Sequence, residues 1–308
     1  MEAVAGWTSD EGPSARSSGV SGEPDLLAQV AALACRAIGV QTAVVLLRDP
    51  PSGGGLREVA RHGLTRRRMR VAVRCPIVVD GDVRGVLAVV GTRRLEADQL
   101  ELLGELADLA ATSLEERDRR SHAEAIVTAG VDVLARAVDM RDNYTGRHSA
   151  HVGDLARKVG ERLGMAADDI ALLEFAARLH DLGKLAVPDT ILQKPGPLDE
   201  AEWAVMRRHP EWGAEMVSSV PGLEQLGLLV ASHHERWDGS GYPDGLAGDQ
   251  IPLASRVISV CDAYEAMVSR RPYRASLSVQ SALGELSAGA GSQFDPAVVA
   301  AVRAEIDG

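Results

Sequence analysis

Five histidines recur through the second half of this chain, at His148, His180, His209, His233 and His234. The gaps are 32, 29 and 24 residues, and 28 more separate His234 from Asp262 on the apolar stretch ASRVISVCDAYEAMV. Each of these residues lies at or near the end of a helical segment, so the spacing is about one ligand set per helical hairpin. Helices packed as a bundle can aim such residues at one interior point. A buried cluster of imidazoles and carboxylates is costly unless a metal neutralises it. Imidazole with carboxylate suits Fe, Mn, Zn or Co, not a thiolate site. Asp181 directly follows His180, so two aspartates and five histidines supply enough ligands for two metals with one carboxylate bridging. After Arg141 the pattern is helical, broken at Gly and Pro, with short extended pieces expected only near 237–252.

The first half reads differently. No aromatic residue lies between Trp7 and Tyr144. Residues 1–24 are rich in Ser, Gly and Pro and lack a period, which suggests a disordered tail. A helical pattern from Leu26 to Ile38 is closed by Gly39. Short β-like runs follow at Ala43–Leu47 and Leu56–Arg61, and Asp80-Gly81 between Val71–Val79 and Val83–Val90 is a hairpin signal. This is a small α+β domain over 25–115. A helical stretch from Glu96 to Asp139 follows and includes the charged segment EERDRR; residues 116–140 read as a connector to a mostly α-helical domain over 141–308. Because the charged stretch EERDRR has no break residue, we expect the connector to pair with its copy in a homodimer.

Composition excludes several classes. The formal net charge is −11, of which −1 falls in residues 1–120 and −10 in 121–308. Such acidity argues against general nucleic-acid binding, which relies on Lys and Arg neutralising phosphates. Cys35, Cys75 and Cys261 form no disulfide framework or zinc ribbon. No basic-then-apolar leader opens the sequence and no run of 18 apolar residues suits a membrane span. We therefore expect a soluble, cytoplasmic protein.

His180-Asp181-Leu182-Gly183-Lys184 resembles the H-D-x-G-K of the HD phosphohydrolase superfamily. HHERWDGSGYPDG over 233–245 resembles the H-H-E-x-x-D-G-x-G-Y-P of its HD-GYP branch. RRHP at 207–210, Asp262-Ala263-Tyr264, RPYR at 271–274 and QFDP at 293–296 match in the same order. The resemblance implies a metal-dependent phosphodiesterase that opens cyclic di-GMP. It implies one metal held by His148, His180, Asp181 and Asp262, and a second held by His209, His233 and His234 with Asp181 bridging. The family's metals are usually iron or manganese, and two of them can activate a bridging water to hydroxide. Asp181 and Lys184 are then the catalytic residues. Lys184, Arg271, Arg274 and Tyr242 are candidate substrate contacts, because ammonium and guanidinium groups suit phosphate. The GYP loop is a candidate surface for signalling partners. Where some family members carry a Glu for a third metal this chain has Tyr144, so two metals and linear pGpG as main product are expected. Residues 25–115 resemble a shortened GAF domain, expected to serve dimerisation. Two alternatives stand beside cyclic di-GMP hydrolysis: another cyclic dinucleotide such as cGAMP as substrate, or a non-catalytic sensor or scaffold.

Overall fold

Apolar residues at three-to-four spacing build the first element. Helix α1 spans Leu26–Ile38 and buries Leu27, Val30, Ala31, Ala34 and Ile38. It ends where Gly39 takes a φ of 75°. The computed structural model describes residues 26–48, 55–63, 73–90, 94–142, 147–269 and 276–307. The expected tail therefore lies outside the described residues.

Four strands follow: β1 (Thr42–Arg48), β2 (Leu56–His62), β3 (Val73–Val79) and β4 (Asp82–Val90). They form one antiparallel sheet in the order β2-β1-β4-β3. The β3–β4 turn has Asp80 at φ 52° and Gly81 at φ 84°. Two successive positive φ values twist the turn as the flanking strands twist, which is why Asp-Gly marks it in the sequence. Alternate strand residues Ala43, Val45, Ile77, Val79, Leu87 and Val89 share one apolar cluster with α1 and with Leu103, Leu106, Ala110 and Leu114. The last four belong to helix α2, which spans Ala97–Arg141, 45 residues without a break. The chain divides into two compact units, Met1–Ala123 and Glu124–Gly308. The first is α+β; the second is mostly α-helical.

The second unit takes in the last turns of α2 and then α3 (His148–Arg162), α4 (Ala167–Leu179), α5 (Asp189–Leu192), α6 (Glu200–Met206), α7 (His209–Ser218), α8 (Glu224–Ala231), α9 (Leu253–Val268), α10 (Val279–Gly289) and α11 (Pro296–Asp307). Its core is built from small and branched residues, among them Val152, Ala156, Leu173, Ala176, Ile258, Leu283 and Val298. Ala135 and Val138 of α2 are buried, and Asp132 pairs with Arg178 at 2.7 Å. No helix of the described residues is long and apolar enough to cross a membrane.

Two local expectations fail. The region 237–252 holds no strand; it is a loop with one short 3₁₀ turn at Gly248–Gln250. Its amides are taken elsewhere: Asp244 and Leu246 donate to the Glu235 carboxylate, while Trp237 and Asp238 donate to the carbonyls of Gln293 and Ser292. Trp203, an aromatic that flanks His209 in the sequence and so suggests core packing, is exposed, and the Arg207 guanidinium lies 5.8 Å from its ring centre.

Candidate metal centre

Helix ends deliver the histidines. His148 and His209 open α3 and α7, His180 immediately follows α4, and His233-His234 follow α8. Asp262 differs, projecting from the middle of α9. Helix ends free the backbone from its regular ladder, so consecutive residues such as His180 and Asp181 can face one interior point.

Three rings are oriented in the same way. The Nδ1 atoms of His180, His209 and His233 lie 2.7, 2.8 and 2.6 Å from the carbonyl oxygens of Ala177, Met206 and Val230, each three residues upstream. A carbonyl only accepts, so Nδ1 carries the proton and Nε2 keeps a lone pair when the ring is neutral. Those Nε2 atoms converge. His209 and His233 Nε2 are 3.4 Å apart. His180 Nε2 is buried without a hydrogen-bond partner and lies 3.3 Å from Asp181 Oδ2. Two facing lone pairs repel unless a cation lies between or beside them.

Asp181 stands in the centre. Its Oδ1 lies 3.3 Å from His209 Nε2, and its Oδ2 faces His180. Each carboxylate oxygen thus serves a different histidine group. On one side are His148, His180 and Asp262, with His148 Nε2 3.1 Å from Asp262 Oδ1. On the other are His209, His233 and His234. The donor set, its burial and the open Nε2 lone pairs fit divalent cations of the borderline-hard class. All seven residues that the sequence proposes as ligands are therefore brought together.

Electrostatics shape the cluster. Burial depresses His233 and His234, the latter to about 3, with neighbouring imidazoles adding to the effect. Burial also works against charge on His180, but Asp181 and Asp262 overcome it and lift that imidazole to about 9. Burial favours a neutral Asp181, yet Lys184 and His180 hold its carboxyl well below the usual range. A metal at His180 must therefore displace a proton at neutral pH. Calorimetric Mn²⁺ titrations in buffers of different ionisation enthalpy are expected to show proton release at pH 7.5. Below about pH 9 the affinity of that site should fall as pH falls, by about tenfold per unit. A pH-independent affinity between 6.5 and 8.5 would refute the assignment of His180 as a ligand.

Lys184 Nζ lies 2.7 Å from Asp181 Oδ2 and 2.6 Å from Asp142 Oδ2. Tyr242 lies with its ring 5.0 Å from that of His234 and is backed by Arg207. Burial pushes its phenol up to about 12. Its loop approaches the His233-His234 segment closely: a Cβ on Gly241 would meet Arg236 N at 2.4 Å and Glu235 Cα at 2.6 Å. His151, on the next turn from His148, pairs with Glu265 at 2.8 Å and is half exposed. Arg271, Arg274 and Tyr144 lie outside the described residues. Sequence reading missed Glu235, whose carboxylate fastens the GYP loop, and Asp139, Arg141 and Asp142 at the end of α2. The only signal for these last three was a cluster of charge at a helix terminus just before a candidate ligand.

Comparison with known proteins places this geometry. The chain is 45% identical over 179 residues to the cyclic di-GMP phosphodiesterase response regulator RpfG of Xanthomonas campestris pv. campestris, covering 56% of this chain and 47% of that protein. It is 40% identical over 173 residues to a cyclic di-GMP phosphodiesterase of Thermotoga maritima, covering 56% and 47%. It is 39% identical over 168 residues to 3'3'-cGAMP-specific phosphodiesterase 2 of Vibrio cholerae, covering 54% and 32%. The chain thus spans about half or less of the length of these curated relatives. A GAF domain match covers residues 52–114. An HD domain match covers residues 132–298, from the last turns of α2 into α11 and more than half of the sequence, so the chain belongs to the HD domain family.

Proposed function

We propose that the second unit hydrolyses cyclic di-GMP to linear pGpG with two divalent metals, iron or manganese. The observation that carries this reading is Asp181, with one carboxylate oxygen toward each histidine group. Divalent metals held by these residues would lower the pKa of a bound water and offset the charge of the phosphodiester. The chain's own residues do the rest. Three histidines present Nε2 in a fixed tautomer, Asp181 spans the two groups, and Tyr242 walls the side of His234. Lys184 offers a cation beside Asp181 for the leaving oxygen, and Arg271 and Arg274 are assigned to the substrate phosphates. The similarity to a cGAMP-specific enzyme supports one second reading, cGAMP as substrate. Purified protein loaded with Mn²⁺ or Fe²⁺ should open cyclic di-GMP faster than 3'3'-cGAMP and accumulate pGpG. Faster cGAMP turnover would favour the second reading; no turnover of either, with metals bound, would favour a sensor. Three ions bound per chain would overturn the two-metal count.

The protein acts in this proposal as a homodimer through α2, with the GAF-like region contributing. On that helix Ile126, Val133 and Met140 repeat every seven residues, with Val127 and Leu134 beside the first two. All five are exposed, Val133 by 67% and Met140 by 70%. Exposed apolar residues one heptad apart form a stripe along which two copies of α2 can pair. Light scattering should give twice the chain mass, and Ile126→Glu with Val133→Glu should return it to one. A wild-type monomer at about 50 µM, where a pair with a Kd of about 1 µM would be mostly associated, would sink this part. The half-exposed rim of the GYP loop is assigned to signalling partners.

A further inference from the structure

The end of α2 reaches the turn that carries Lys184, beside the metal centre. Arg141, its last residue, donates from Nη1 to the carbonyls of Lys184 and Leu185 at 2.9 and 2.7 Å, and from Nη2 to Val187 at 2.8 Å. The same guanidinium pairs with Asp189 at 2.8 Å. Those carbonyls belong to the 3₁₀ turn Leu182–Ala186 and the residue after it, the kind of terminal acceptors a helix cannot satisfy itself. Asp142, the next residue, takes the Lys184 ammonium at 2.6 Å. One dipeptide therefore grips Lys184 twice, by backbone and by side chain. Two residues before Arg141, buried Asp139 accepts from Ser149 N at 3.2 Å and Ser149 Oγ at 2.6 Å, beside His148.

We propose that Asp142 is a positioning residue for Lys184, holding the ammonium in one rotamer against Asp181 Oδ2. A lysine has a flexible four-carbon stem and a point charge. Asp181 holds the ammonium at 2.7 Å, and Asp142 adds a second carboxylate at 2.6 Å, which narrows the rotation open to the stem. Asp142 also shares the charge of the ammonium, so Lys184 draws less electron density from the carboxylate that spans the two histidine groups. The role in turnover rests on the phosphodiesterase reading above; the positioning itself does not.

The chain has three lysines, Lys158, Lys184 and Lys194, so reductive methylation at trace reagent, read by mass spectrometry, reports Lys184 against two internal references. In wild type Lys184 should label slowest. In Asp142→Asn its labelling relative to Lys158 should rise at least about fivefold and kcat should fall about tenfold to a hundredfold, the scale of a small misplacement of a reacting group. KM should stay within about threefold, and Mn²⁺ stoichiometry and Tm should match wild type, because binding and folding groups are untouched. Asp142→Glu, which keeps the charge, should recover part of kcat. Unchanged Lys184 labelling in Asp142→Asn overturns the proposal. So does a parallel loss of metal and Tm in both variants, which assigns Asp142 to folding alone. If wild-type protein opens no cyclic dinucleotide, the phosphodiesterase reading fails while the labelling ratio still decides the role of Asp142.

Discussion

Asp181→Asn is expected to lower cyclic dinucleotide hydrolysis by at least about a thousandfold, roughly 4 kcal/mol of transition-state stabilisation. The substitution conserves shape and removes one negative charge. An amide offers a single acceptor oxygen, so it cannot present an anionic oxygen to both His180 and His209 as the carboxylate does at 3.3 Å on each side. Its NH₂ would point at one of the two Nε2 groups and compete with a metal there. Lys184 would also lose this carboxylate while keeping that of Asp142. Bound Mn²⁺, counted by plasma emission, should drop from two per chain to one or none. Retention of both ions with more than a tenth of wild-type turnover would remove Asp181 from its bridging position.

Gly183→Ala should be nearly as damaging without touching a ligand. A Cβ there would sit 1.9 Å from the carbonyl oxygen of His209 and 2.5 Å from Gly213 N. Both are backbone atoms of α7, so no side chain can swing aside. The turn after Asp181 and the first turn of α7 must separate, and that contact is what sets His209 opposite Asp181. Overpacking typically costs about 1–3 kcal/mol, and backbone against backbone belongs at the upper end, so Tm should fall by about 6–12 °C at roughly 2–4 °C per kcal/mol. The His209–His233–His234 group should bind Mn²⁺ about tenfold to a hundredfold more weakly. A variant with wild-type Tm and both ions would show that α7 can shift without cost.

The sequence made the ligands legible because their motifs carry residue type and order, and type is what metal chemistry selects. It also made the Asp80-Gly81 turn legible, since two positive φ values restrict the residue choice. The glycine of H-D-x-G-K was legible only as a letter; its reason is the approach of α7, a long-range contact no local spacing encodes. Trp203 was misread because an aromatic near a ligand suggests burial, yet here it backs an arginine at the surface. The extended pieces expected near 237–252 pair into no sheet, because local sequence does not say which acceptors receive their amides; here one is the Glu235 side chain. Arg141 and Asp142 went unread because their partners lie 42–48 residues away.

The three carbonyls behind the histidine rings have a consequence for variation. Ala177, Met206 and Val230 contribute only a backbone oxygen to the ring they orient. The proton's address on each imidazole is therefore written in chain geometry, and those three side chains are left to the demands of packing. Substituting them one at a time, at matched volume, leaves every tautomer in place. The instruction that makes these histidines ligands is redundant with the fold itself, so drift at the neighbouring positions cannot erase it while the helices still end where they do.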